Sequence, residues 1–118
     1  MMIIAAGPYS APTEAERQRN LDRMNEAAAQ VLAKGHIPVI GMNVALPIVE
    51  KAQPADHYGA IMAISLALAE RCDAVLLIAE SPGANRERDA VVARGGALFR
   101  HVDEIPVKPT FTAPDSVV

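Results

Sequence analysis

Cysteine and aromatic residues are scarce in this chain: among 118 residues there is one cysteine, no tryptophan, two tyrosines and two phenylalanines. A single thiol, Cys72, excludes an internal disulfide and a multi-cysteine metal site, and it suits a reducing cytoplasm. So few aromatic rings argue against a stacking platform for several bases. Basic charge is not in excess, the formal net charge being −3, so the electrostatic footprint of a nucleic-acid polymer binder is missing. No apolar run approaches the roughly 18 residues of a membrane-crossing helix. The opening Met1-Met2-Ile3-Ile4-Ala5-Ala6 has no basic segment and meets Gly7-Pro8 at once, unlike a secretory signal. His36, His57 and His101 stand far apart without ligand spacing, so no metal site is expected. Neither a G-x-G-x-x-G, a Walker loop nor a G-x-S-x-G occurs, and no cofactor is expected.

What is present is apolar content of 51% with 21% charged residues, enough for one domain with a real core. Residues 2–6 form a short isoleucine-rich run closed by Gly7-Pro8, which reads as a buried strand. Over 13–34, Leu21, Met24, Ala28, Val31 and Leu32 recur at helical spacing, and Gly35 sits where a helix-ending glycine belongs. Residues 37–40 read as a strand buried on both faces. Residues 41–54 contain two prolines and show no period, and are expected to form a loop over the sheet edge. The stretch 56–71 reads as a helix that is apolar nearly all round: from Ala60 to Ala69 the only polar residue is Ser65. Such a helix needs cover, and in a small chain a subunit interface supplies it, so a homodimer or homotetramer through 56–71 is expected. Residues 73–79 (DAVLLIA) form the clearest strand, 84–94 a helix ended by Gly95-Gly96, and 97–102 a further strand. Strands separated by helices predict a three-layer, doubly wound open parallel sheet of the flavodoxin or Rossmann kind, with four to five strands. One domain over 1–105 and a proline-containing tail over 106–118 complete the organisation.

Ligands of open parallel sheets sit beyond the carboxyl ends of the strands. Two segments fall there. After the first strand, Gly7 permits close backbone approach, while Tyr9 and Ser10 offer a ring and hydroxyls; equally, Gly7-Pro8 can simply end a strand with Tyr9 packed on the loop. After the best strand, Ser81-Pro82-Gly83 opens a helix, where a hydroxyl and free N–H groups suit an anion; equally, Ser81 can be a plain N-cap with Pro82 at the first helical position. On that helix Glu87 shares a face with Ala84, Ala90 and Val91. This leaves two roles open for it: a nucleophile or base at the ligand end, or a solvated first-turn carboxylate paired to an arginine. Arg17, Arg19 and Arg23 read as a solvated helix face, and Cys72 as a small buried apolar residue.

In this order and spacing, Ile3-Ile4-Ala5-Ala6-Gly7-Pro8-Tyr9-Ser10, Gly35-His36-Ile37-Pro38-Val39-Ile40, Cys72-Asp73-Ala74-Val75-Leu76 and Ser81-Pro82-Gly83-Ala84-Asn85-Arg86-Glu87 resemble the nucleoside 2-deoxyribosyltransferase-like superfamily. The resemblance is to its small phage and bacterial branch, related to nucleoside 5′-monophosphate N-glycosidases, and covers about residues 2–105. It implies a cytoplasmic protein with a nucleoside or nucleotide as small-molecule partner. Glu87 would attack the anomeric carbon to form a glycosyl-enzyme, as retaining glycosidases do, with Tyr9 orienting it. Gly7, Pro8, Ser10, Asn43, Ser81, Pro82 and Gly83 would bind substrate, Ser81 taking the 5′-phosphate. Two departures stand out. Ser65 occupies the place of a frequent aspartate that helps protonate the leaving base, and Glu87-Arg88-Asp89 replaces a frequent Glu-x-Gly. A nucleotide-binding or sensing module of the same fold is the alternative.

Overall fold

Ile3 to Ala6 have no polar side chain to turn outward, so a strand built from them needs cover on both faces. The computed structural model describes residues 1–109 and supplies that cover; residues 110–118, part of the expected tail, lie outside the described residues. The elements are β1 (Met2–Ala6), α1 (Glu14–Ala33), β2 (Ile37–Val39), α2 (Gly41–Ala52), α3 (His57–Ala69), β3 (Ala74–Leu77), α4 (Pro82–Ala93) and β4 (Ala97–Phe99), followed by a single 3-10 turn at Val102–Glu104. All pairings are parallel and the strand order is β2-β1-β3-β4, so the fold is an α/β open parallel sheet of four strands.

Side-chain alternation splits the core into two layers. Ile4, Ala6, Val75 and Leu77 pack with Ala69, Ala84 and Val91 from α3 and α4. Ile3, Ala74 and Leu76 point the other way, onto Val31 of α1 and Ile105. Each fully buried valine, leucine or isoleucine among them contributes about 1.5–3 kcal/mol, and each alanine less. At the carboxyl end of β1, Ala5, Met24, Ala28 and Ile40 form a third cluster, which Tyr9 and Met42 border.

Helix ends follow local chemistry. The Thr13 side chain accepts from Glu16 N at 3.2 Å, and Gly35, at φ 91°, takes the left-handed turn that releases the chain into β2. The Asp56 and Ser81 side chains cap α3 and α4 in the same way.

Two expectations are corrected. The segment 41–54 is helical over Gly41–Ala52, although Pro47 lies inside it. Proline there removes one helical hydrogen bond and costs about 3 kcal/mol in isolation. Gly41, Ala45 and Val49, spaced by four, bury one face of the helix, and the proline is carried within that packed segment. The strand 37–40 is not covered on both faces either: β2 is an edge strand, and Ile37 is 46% exposed. Among the described residues no helix is long and apolar enough to cross a membrane.

Candidate functional site

The strand order reverses between β1 and β3. The chain leaves β1 toward β2 and leaves β3 toward β4, so the two loops that follow diverge and open a crevice. A cleft of about 460 Å³ lies there, within the range of roughly 300–1,000 Å³ that small-molecule sites occupy. The loop after β1 contributes Gly7, Pro8, Tyr9 and Ser10. That loop is tied to α1 from outside the cleft: Asn20 Nδ2 donates to the Tyr9 carbonyl at 2.9 Å, and Arg17 Nη1 to the Ala11 carbonyl at 2.9 Å. Arg17 therefore has a loop-fixing role in addition to its place on a polar helix face.

The loop after β3 and the first turns of α4 contribute Ser81, Pro82, Gly83, Ala84 and Glu87. Ser81 Oγ accepts from Ala84 N at 3.1 Å, so its own hydroxyl hydrogen is free to donate. Pro82 has no N–H and Ala84 spends its own on Ser81, which leaves Gly83 N–H as the first-turn donor nearest a ligand.

Glu87 decides the chemistry of the cleft. Ala84, Glu87 and Val91 form the buried face of α4, so helical phase turns the carboxylate inward. It is 9% exposed, and Oε2 has no hydrogen-bond partner among the described residues. Burial without a compensating donor disfavours the charged form and pushes its pKa up to about 8. The solvated, arginine-paired reading is thereby excluded for Glu87. The neighbouring Arg88 bonds instead to Asp89 at 2.9 Å and Glu80 at 3.3 Å. Tyr9 lines the same cleft but does not reach Oε2.

A third wall comes from α3. Tyr58, Ile61, Met62 and Ser65 follow one helical face, and burial deepens along it, from 51% exposure at Tyr58 to 5% at Met62 and 3% at Ser65. Ser65, the one polar residue between Ala60 and Ala69 of α3, thus faces inward. It also meets the start of α2: a Cβ on Gly41 would lie 2.8 Å from Ser65 Cβ and closer still to its Oγ, so only glycine fits. Met42 and His57 complete the lining.

Eight of the nine anticipated site residues therefore share one cleft. The exception is Asn43, expected beyond the second strand's end. It sits on α2, exposed, with Nδ2 donating to Asn25 Oδ1 at 2.9 Å, and does not line the cleft. Its neighbour Met42 does. Tyr58, Ile61 and Met62 escaped sequence reasoning, although their i, i+3, i+4 spacing ahead of Ser65 is a legible signal. Asp73 lies at the other end of the sheet, where Oδ2 accepts from Met2 N at 2.7 Å. Cys72 is buried, and burial pushes its thiol pKa up, away from reactivity. Compared with known proteins, the chain matches no family model, no curated protein and no solved structure.

Proposed function

We propose that the cleft binds a nucleoside or nucleoside 5′-monophosphate and cleaves or exchanges its N-glycosidic bond, in the manner of the nucleoside 2-deoxyribosyltransferase-like superfamily that the sequence resembles. The observation that carries this reading is a nearly buried, unpartnered carboxylate, Glu87, in the wall of a cleft at the sheet's switch point. An ionised Glu87 oxygen attacks C1′ of the sugar, and the C–N electron pair leaves with the base, which takes up a proton. Water or a second base then opens the glycosyl ester and frees Glu87. The 5′ end of the substrate lies toward Ser81 and Gly83 N–H. Among the described residues no lysine or arginine lines the cleft, so a phosphate there rests on neutral donors and the α4 N-terminus.

One observation favours a second reading, a nucleotide-binding or sensing module without chemistry. Ser65 stands where an acid would assist the leaving base, and a serine hydroxyl is too weak an acid for that task. The assay that separates the two is release of free base from a mixed pool of deoxy- and ribonucleoside 5′-monophosphates. Release that disappears in Glu87→Ala supports the glycosidase; tight binding with no release by the unaltered protein supports the module.

A second copy of the chain is proposed as the cover for α3. Its outward face carries Ala60, Ala63, Ile64 and Ala67 with no charged group, and Ala63 and Ala67 are exposed. The single buried thiol is consistent with a cytoplasmic setting.

A further inference from the structure

Of the chain's four aromatic residues, both tyrosines line this same cleft, from two different walls: Tyr9 from the loop after β1 and Tyr58 from the first turn of α3. Their surroundings differ. Tyr9 is packed against the cluster around Met24 and Ile40, so its ring belongs to the core as much as to the cleft. Tyr58 is half exposed at the shallow end of the α3 wall, one turn above Ile61 and Met62. Gly83 lies across from it: a Cβ there would stand in ordinary contact with Met62 Sδ at 3.4 Å and Tyr58 Oη at 4.0 Å, so the bare backbone keeps that side of the cleft from closing on the ring. The ring therefore stands at the mouth, above an apolar shaft that ends at the buried Ser65.

We infer that Tyr58 positions the planar base: its ring forms the upper face of the apolar slot that takes the base, with Ser65 at the slot's far end, while the sugar turns toward Glu87. The inference rests on the reading of the cleft as a nucleoside or nucleotide site and adds to it the residue that grips the base. Three features support it. The shaft below Tyr58 is walled by Ile61, Met62 and Pro8, which favour a flat apolar group over a hydrated one, and a thioether beside a ring adds a favourable contact. A tyrosine offers a large rigid surface with few rotatable bonds, so little entropy is lost on stacking. The fold has little need of the ring, since 51% of Tyr58 remains in water. Stacking on an aromatic side chain is indifferent to base identity, so Tyr58 would govern affinity for bases in general rather than choose among them.

The chain carries its own reporter. With no tryptophan and only two tyrosines, both in the cleft, intrinsic fluorescence reads the site directly. Adenosine, thymidine and their 5′-monophosphates are titrated into the unaltered protein, Tyr58→Leu and Tyr58→Phe, with calorimetry alongside and melting temperature as the check on folding. The expected result is binding by the unaltered protein, affinity lower by about tenfold in Tyr58→Leu, and near-complete recovery in Tyr58→Phe. Equal affinity in the unaltered protein and Tyr58→Leu overturns the inference. So does equal loss in both variants, since the hydroxyl and not the ring face would then be at work. Absence of binding by the unaltered protein is a separate result: it refutes the nucleoside reading itself, and the role of Tyr58 with it.

Discussion

Replacing Glu87 by glutamine removes a carboxylate whose ionisation the fold resists, and the consequence for stability depends on pH in a defined way. In the folded protein burial raises the Glu87 pKa to about 8, against 4.5 for the ordinary side chain. Below pH 4.5 both folded and unfolded chains hold the proton and burial costs no ionisation energy. Between these two values the folded protein keeps a proton that the unfolded chain releases, so the native state loses about 1.4 kcal/mol of stability for each pH unit gained. Above about pH 8 both states are ionised and the loss levels off. Glutamine does not titrate. The stability advantage of Glu87→Gln over the unaltered protein should therefore grow from its value near pH 4 by about 3 kcal/mol at pH 7 and about 5 kcal/mol above pH 8. Urea unfolding at pH 5, 6, 7 and 8 measures it, each variant compared with the unaltered protein at the same pH. A difference that stays constant across that range would mean that Glu87 titrates as a solvated carboxylate, and the burial argument would be wrong. The same titration bears on chemistry. At pH 7 Glu87 is mostly protonated, so a nucleophilic Glu87 predicts base release that rises toward pH 8.

Two further outcomes follow from packing. Gly41→Ala should destabilise the protein by about 1–3 kcal/mol in thermal unfolding, because the added methyl meets Ser65 with neither helix free to retreat; an unchanged melting temperature would show that α2 and α3 are packed more loosely than their contact indicates. Ala67→Glu places a charge on the apolar outward face of α3, so sedimentation should show a dimer or tetramer for the unaltered protein and a monomer for the variant; a monomeric unaltered protein would refute the interface.

How far the sequence was legible depended on whether a segment's periodicity had one cause. β1 and β3 were plain because an unbroken apolar run closed by Gly7-Pro8 or opened by Asp73 has few alternatives. Glu87 is half legible: α4 has a polar side, so its phase sets Glu87 beside Ala84 and Val91, but whether the carboxylate is buried or solvated depends on the α3 wall, which a local reading does not see. α3 withheld that information. A helix apolar on every face has no phase, and its cleft-facing row from Tyr58 to Ser65 could not be told from the rest. α2 is hidden from a local reading because Pro47 and Pro54 are helix breakers, while the burial of Gly41, Ala45 and Val49 depends on contacts with α3 that lie outside the segment. An apolar run likewise does not say whether a strand has a neighbour on its second side; among the described residues β2 ends the sheet.

The purely parallel sheet has a consequence for how the chain reaches its shape. None of its strands can zip to a neighbour through a tight turn. β1, which lies between β2 and β3, meets its inner neighbour only when distant chain arrives, as in the bond from Met2 N to Asp73 Oδ2 across 71 residues. Such closures are slow, because chain entropy is lost before contacts compensate for it. In the nascent chain Ile3 and Ile4 are made before β3, so the β3 side of their strand stays unpaired and prone to wrong pairing until residue 77 has appeared. The helical pair α2 and α3, close in sequence and densely packed, is the part able to form in the interval.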